Sequence, residues 1–244
     1  MFELYKDIYE KRGANYHAAM QRWPDARRME FETLMEYTVV DGENPVVVDV
    51  PSGGGYIERF LPTGASLIAV DPAASFLSAG SHPGAREVFC APHDRIPMAD
   101  GSADLVISMA GLHHLSDQAS AFREWARLLR PGGVLAIADA FKSSPTARFL
   151  DEVVDAYNSM GHRGNYFDET ILEPLEAAGF EVERRERRSY DWTFDCRSEM
   201  LRFCRLLFTM DREPDDAELL RESASRCLMG WELYFIRAVK RAGN

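Results

Sequence analysis

The chain is poor in cysteine, in positive charge and in long apolar runs, and each shortage removes a class of protein. Its four cysteines, Cys90, Cys196, Cys204 and Cys227, form no CxxC pair and show no metal-ligand spacing. That pattern points to reduced thiols in a cytoplasmic protein rather than a disulfide scaffold, and no metal site is expected. No apolar run reaches the ~18 residues that a membrane span requires. The opening MFELYKDIYEKRG is charged from residue 3 onward and does not read as a signal peptide. Lysine and arginine number 28 against 39 acids, a net charge of −11, which denies the chain the basic face of a general nucleic-acid binder. The local cluster Arg184, Arg185, Arg187 and Arg188 reads as the solvated end of a strand. There is no internal repeat and no low-complexity tract. What remains is a globular composition, 46% hydrophobic over 244 residues, enough to bury one full core.

The most informative stretch runs from Pro45 to Asp71, PVVVDVPSGGGYIERFLPTGASLIAVD. An apolar run ending in Asp49 and Val50 meets the turn Pro51-Ser52-Gly53-Gly54-Gly55. A short helical pattern over Tyr56 to Leu61 is stopped by Pro62 and Gly64. A second apolar run, Leu67 to Val70, ends in Asp71. Strand, glycine turn, helix, strand and terminal acid form the layout of a βαβ nucleotide site. Glycines let the backbone approach a ligand and offer N–H groups to it. An acid at the end of the second strand is placed to accept hydrogen bonds from ribose hydroxyls.

The rest of the chain continues that alternation. Residues 2–12 read as an amphipathic helix with Phe2, Leu4, Tyr5, Ile8 and Tyr9 toward one side, ended by Gly13. A second helical pattern starts at Tyr16, breaks near Pro24 and resumes to Tyr37. After Asp71 come a short helix to Ala79, a strand at Val88–Cys90, a loop over 91–98 and a strand at Leu105–Met109. A helix over 118–129 carries the stripe Ala119, Phe122, Trp125, Ala126 and Leu129. Strand five follows at Val134–Ala138, ending at Asp139. Helices over 146–160 and 168–178, a sixth strand over 181–190 and a seventh over 231–240 complete the pattern. Such alternation implies an α/β fold: a Rossmann-like three-layer αβα sandwich on a seven-stranded, mostly parallel sheet with an antiparallel last strand. Residues 1–44 form a helical cap and 45–244 the main domain, with 191–230 inserted as helices over the active site.

Five ordered blocks carry a resemblance to a known family. They are Val47 to Gly55, Ile68-Ala69-Val70-Asp71, Asp94 to Met98 before Asp104-Leu105-Val106, Gly111-Leu112-His113-His114, and Leu128 to Leu135. The chain resembles the class I S-adenosylmethionine-dependent methyltransferases, in particular the small-molecule, type 11-like group. The resemblance implies S-adenosylmethionine as cofactor and S-adenosylhomocysteine as product. It implies that Asp49 braces the loop or the methionine end, that Ser52, Gly53 and Gly55 pass close to the ligand, and that Asp71 takes the ribose hydroxyls. Pro72 would lie against the adenine, His93 and Asp94 would flank its edge, and Met109 would sit near the transferred methyl. Two residues depart from the family pattern: Pro51 stands where a glycine usually opens the loop, and Pro92 where many members carry an acid.

Methyl transfer is a direct displacement, so the protein must align the reactants, exclude water and take a proton only when the nucleophile carries one. His113 and His114, at the carboxyl edge of the sheet, are the candidates for that base or for orienting the acceptor; packing and loop capping are the alternative. Asp139 either faces the acceptor or caps its loop. Tyr16 and His17 lie in the cap, and Trp192, Phe194, Phe203 and Phe208 line an apolar pocket or belong to the core. The expected partner is a small, partly apolar acceptor methylated at O, N or C, with no nucleic acid and no membrane, the chain being a monomer or homodimer. A family member that binds the cofactor without transferring a methyl is the other reading. A nicotinamide dehydrogenase is disfavoured, because Glu58 stands at the last glycine of its fingerprint.

Overall fold

In the computed structural model, which describes residues 5–212 and 227–242, seven strands form one sheet in the order β3-β2-β1-β4-β5-β7-β6. β1 (Val46–Asp49), β2 (Ser66–Asp71), β3 (Ala85–Cys90), β4 (Ala103–Met109) and β5 (Leu129–Asp139) pair in parallel. β7 (Leu228–Lys240) inserts antiparallel between β5 and β6 (Phe180–Thr193). The central strands are apolar on both faces because both faces are covered. Neighbouring residues therefore enter opposite cores: Val47, Ile107 and Ala136 lie in one, and Val48, Val106 and Leu135 in the other.

The second core is closed by α4 (Gln118–Leu128), capped by Asp117, whose side chain accepts from the Ser120 N–H. Its buried face carries Ala121, Phe122, Trp125, Ala126 and Leu128. Ala119 is only half-buried and Leu129 already belongs to β5, so the expected stripe holds at its centre and shifts at its ends. The first core is closed by α1 (Tyr5–Arg22), α2 (Arg28–Met35) and the helix Arg197–Leu207. The order of strands reverses beside β1: the chain leaves it for β2 on one side and returns to β4 on the other. Ligands bind such sheets at that switch point, outside the carboxyl ends of the strands.

Several boundaries differ from those read in the sequence, each for a physical reason. α1 does not stop at Gly13. That glycine lies where α1 crosses α3 (Ala74–Ala79), and a Cβ there would stand 2.8 Å from the Phe76 Cβ. The glycine permits close helix packing rather than ending a helix. Phe2 and Leu4 lie outside the described residues. Between Tyr56 and Leu61 only the 3₁₀ turn Glu58–Phe60 forms. The helix expected over 146–160 spans 145–157, with a π-helical turn at Phe149–Val154 between α-helical ends. The stretch expected from Asp168 opens as a 3₁₀ turn at Glu169–Ile171 and continues as the helix Leu172–Ala177.

β6 and β7 are both longer than their apolar runs suggested, because β6 is an edge strand with charged residues outward. Arg184 and Arg188 pair with Glu36, and Arg237 with Glu183, so the basic cluster belongs to a charged sheet edge that resists pairing with other chains. The insert between the two strands shrinks accordingly. It holds the helix Arg197–Leu207, and residues 213–226 lie outside the described residues.

Replacing a mid-helix glycine by alanine ordinarily stabilises by about 1 kcal/mol. At Gly13 the sign is expected to reverse, with Gly13→Ala costing about 1–3 kcal/mol through overpacking on Phe76. Urea unfolding of the variant checks this, and a gain in stability would refute the packing account.

Candidate active site

Two adjoining cavities lie at the switch point, partly open to solvent, with about 40 and 60 Å³ of free volume. Tyr9, Tyr16, Arg27 and Ala110 border both. Ala110 follows β4 with φ +52°, a left-handed conformation that alanine adopts only under local constraint. Tyr5, Tyr9, Arg12 and Tyr16 recur along α1 at intervals of four, three and four residues, so one helical stripe supplies a wall of the pair.

The first cavity is built on the turn after β1. Gly53 and Gly55 take φ values of +53° and +80°, which a residue with a Cβ avoids. The conformation aims the Gly53 N–H at Asp71 Oδ2, 2.9 Å away. Asp71 is fully buried and also accepts from the Ala73 N–H at 2.8 Å and the Tyr5 phenol at 2.8 Å. Burial raises its pKa to about 6, and these three donors limit the rise. Asp71 lies behind the wall formed by Tyr5 and Gly53 and borders neither cavity, whereas Asp49 lines the first. Its pKa is pushed well up by burial and by the nearby Asp71 and Glu58, and its carboxyl has no hydrogen-bond donor among the described residues. Ser52 contributes a buried Oγ without a partner among the described residues, and Met109 completes the floor. Pro51 packs its ring on Gly111, where a Cβ would stand 2.4 Å from the proline Cγ.

Of the other expected cofactor residues, Pro72 and His93 are buried and border neither cavity. The His93 ring stands edge-on to Tyr5 at 4.9 Å, its carbonyl accepts from Trp125 Nε1, and its Nε2 has no partner among the described residues. Gly55 is turned away, close to the Ser81 carbonyl, and borders a separate groove. Asp94 is exposed and borders none of the cavities found among the described residues. The remaining set suits a nucleoside bearing a cationic amino-acid tail. A buried acid with backbone donors meets hydroxyls, an unpartnered carboxyl meets positive charge, and the rings of Tyr5, Phe76 and His93 offer stacking surface.

The second cavity contains His113 and His114, both buried. His113 sits in the 3₁₀ turn after β4, and Asp139 at the end of β5 accepts from its N–H at 3.0 Å and lies 2.6 Å from its Nδ1. Asp139 therefore orients the His113 ring through Nδ1. His114 is held well below its ordinary pKa by burial, then by His113, His162 and Arg12, so its imidazole is neutral at neutral pH. The opposite wall is apolar: Leu150 and Val154 from the π turn, with Trp192, Phe208 and Trp231. Trp192 stacks on Trp231 at 4.2 Å, and its Nε1 donates to Glu30, which is paired with Arg27. Burial alone would lower the Arg27 pKa; Glu30 and Tyr16 reverse this and hold it well above the ordinary value.

Trp192 and Phe208 thus line the cavity, whereas Phe203 is core and Phe194 packs on it. Tyr16 borders both cavities. His17 borders neither and meets the Tyr56 hydroxyl at 3.1 Å. Residues that the sequence did not single out are Arg12, Arg27, His162 and Trp231. The one-turn spacing of Arg12 with Tyr5, Tyr9 and Tyr16 was a usable signal; nothing local marks the other three.

Residues 48–137 match a family model described as a methyltransferase domain. A demethylmenaquinone methyltransferase of Corynebacterium urealyticum is 40% identical over 96 residues, 38% of this chain and 40% of its own length. A malonyl-[acyl-carrier protein] O-methyltransferase of Yersinia pestis is 27% identical over 169 residues, 68% of this chain and 61% of its own length. Both matches span less than two thirds of the relative. Among solved structures, a Haemonchus contortus N-methyltransferase in complex with phosphomonomethylethanolamine and S-adenosylhomocysteine superposes with a TM-score of 0.66 at 16% identity, over 98% of this chain and 61% of that one.

Burial lowers the His93 pKa from 6.5 to about 3. The unfolded chain then binds a proton below pH 6.5 that the folded chain does not, so this contribution is present above pH 6.5 and is lost as pH falls toward 3. Asp71 acts in the opposite sense, since its pKa is raised on folding from 3.8 to about 6 and its effect on stability improves on acidification over that range. The difference between the parent and His93→Gln isolates the histidine. Between pH 6 and 4 the variant is expected to lose about 1.4 kcal/mol less stability per pH unit than the parent in urea unfolding.

Proposed function

We propose that the chain is a class I S-adenosylmethionine-dependent methyltransferase that methylates a small, partly apolar acceptor at an oxygen, nitrogen or carbon atom, a reading supported by the methyltransferase-domain match over residues 48–137. The observation that carries this reading is the junction of the two cavities. A wall suited to a nucleoside with a cationic tail and a wall of tryptophans around imidazoles share Tyr9, Tyr16, Arg27 and Ala110.

When bound, the cofactor supplies an electrophilic methyl group on a sulfonium. Asp71 and the Gly53 backbone would hold its ribose, Pro72 and His93 its adenine, Asp49 its positive charge, and Ser52 and Met109 the region of the methyl. Arg27, the cation on this cavity, suits the carboxylate of its tail. Trp192, Phe208 and Trp231 exclude water from the acceptor and bury its apolar body. The lone pairs of His113 and His114 receive its polar atom. They activate a hydroxyl either by accepting its proton directly or through a cation held between them.

The relatives' names point to demethylmenaquinone and a malonyl group as their acceptors; the aromatic wall here favours a ring-bearing acceptor of the former kind. A division into cap (1–44) and main domain (45–244), a monomeric or homodimeric state and a cytoplasmic location belong to the same proposal. No helix among the described residues is long and apolar enough to cross a membrane. A second reading, a member that binds the cofactor without turnover, is favoured by one observation: the Tyr5 phenol already occupies the carboxylate that the ribose would need.

Calorimetric titration with S-adenosylmethionine, S-adenosylhomocysteine and NAD separates these readings when followed by turnover assays on a panel of phenols, hydroxyquinones and amines. Binding of the two sulfur ligands with turnover supports the enzyme, and binding without turnover on any of the panel supports the alternative. Asp71→Ala is expected to weaken S-adenosylhomocysteine by more than about 1 kcal/mol, and Tyr5→Phe to tighten it by up to about tenfold, the worth of one hydrogen bond to a charged group. Unchanged affinity in both folded variants would remove Asp71 from the site. His113→Ala is expected to cost at least ~100-fold in kcat while leaving cofactor affinity within about twofold.

A further inference from the structure

We propose that His113, His114 and His162 form a binding site for a divalent transition metal, with its open position facing the acceptor cavity. Three of the chain's six histidines meet here although His162 is 48 residues beyond His114. One ring nitrogen from each lies within 4.8 Å of those of the others, and all three residues are buried. The ring centroids stand 4.0, 5.5 and 5.3 Å apart. A metal held at about 2.0–2.1 Å by each nitrogen needs them about 3.4 Å apart, so the rings close on the ion by roughly an ångström.

The groups behind the rings argue for ligation more than proximity does. A metal-binding histidine almost always gives its second nitrogen to a carboxylate or carbonyl, which fixes the ring and makes the ligating nitrogen more basic. Asp139 lies 2.6 Å from the His113 Nδ1. Asp151 lies 3.7 Å from the His162 Nδ1, with the Tyr166 hydroxyl at 3.3 Å and itself bonded to Asp151 at 2.7 Å. Two of the three imidazoles therefore have a carboxylate beside their Nδ1, at hydrogen-bond distance for His113 and ion-pair distance for His162, which would leave Nε2 to an ion. Three imidazoles with one open position are a donor set for zinc and for neighbouring divalent ions such as cobalt, not for magnesium or calcium. Arg12 borders the same space and opposes a cation there. Its guanidinium is held by Asn158 Oδ1 at 2.8 Å and the Gly161 carbonyl at 3.0 Å, while Asp139 and Asp151 bring two carboxylates to His113 and His162.

His113, His114 and His162 line the same cavity as Trp192 and Trp231, so an open position on the ion would adjoin that apolar wall. An oxygen donor on the acceptor would bind there and ionise near neutral pH, as hydroxyls do on such a cation. That role rests on the acceptor reading under Proposed function; the metal site does not, and it is tested without cofactor or acceptor.

The untagged chain, stripped with chelator, is titrated with Co²⁺ and followed by visible absorption, then challenged with Zn²⁺. Uptake of one equivalent with the bands of a four- or five-coordinate nitrogen-ligated ion, displaced by Zn²⁺, is the expected result. Asp139→Asn should weaken binding by roughly 10–100-fold and His162→Asn by at least about tenfold, with circular dichroism confirming the fold. A Cys90→Ser/Cys196→Ser variant, lacking both exposed thiols, should bind as the parent does. The proposal is overturned if the unmodified chain takes up no saturable equivalent. It is equally overturned if His162→Asn binds Co²⁺ as tightly as the parent, or if uptake is lost in the cysteine variant.

Discussion

A carboxylate withdrawn from water must be met by donors, and Asp71 is met by three, each from a different segment of the chain. The Gly53 N–H comes from the turn after β1, the Ala73 N–H from the entry to α3, and the Tyr5 phenol from α1. The turn needs its left-handed glycines to aim that N–H inward. α1 needs Gly13 to come close enough to α3 for the phenol to arrive. One buried acid thus fixes the glycine turn, the helix after β2 and the cap relative to one another. Both oxygens of this acid are thus engaged by the chain itself, so any further donor would have to share or displace these bonds.

A second acid plays the corresponding role beside the other cavity. Asp139 accepts from the His113 N–H and from the Ala140 N–H and orients the His113 ring. The two acids end β2 and β5, on either side of the switch point, and each anchors the chain as it leaves the sheet. Between them Arg27, paired with Glu30, joins the cap to the β6–β7 ribbon through Trp192. A buried ion pair of this kind adds little net stability, but leaving either partner unpaired is costly, so it holds one arrangement of cap and ribbon against others.

The features legible in the sequence were those governed by local rules. The parallel strands announced themselves as apolar runs, the turn as a proline–serine–glycine cluster, and the two acids by their position after a strand. His113 and His114 were legible because they follow β4 directly. The misreadings share a cause, which is that their physics is long-range. Gly13 looks like a helix stop until Phe76 is seen against it. β6 and β7 look short because the charged residues of an edge strand break the apolar pattern while its backbone pairing continues. Tyr5 on Asp71 spans 66 residues, and His162 beside His114 depends on how the segment after the π turn returns across the sheet edge. No window on the sequence contains either pair.

The register of the last three strands has a mechanical consequence. β5 ends its pairing with β7 at Asp139 opposite Tyr234, whereas β6 and β7 remain paired as far as Thr193 opposite Leu228. Beyond Tyr234 the sheet is a ribbon of two strands, which twists and bends more readily than a full sheet. Trp192 and Trp231 sit on that ribbon, and Asp49 and Asp71 sit on the rigid parallel strands. The molecule is in this sense a clamp with one fixed and one compliant jaw. The second cavity, walled in part by the ribbon, can widen as the ribbon flexes, while the first, built on the parallel strands, keeps its dimensions.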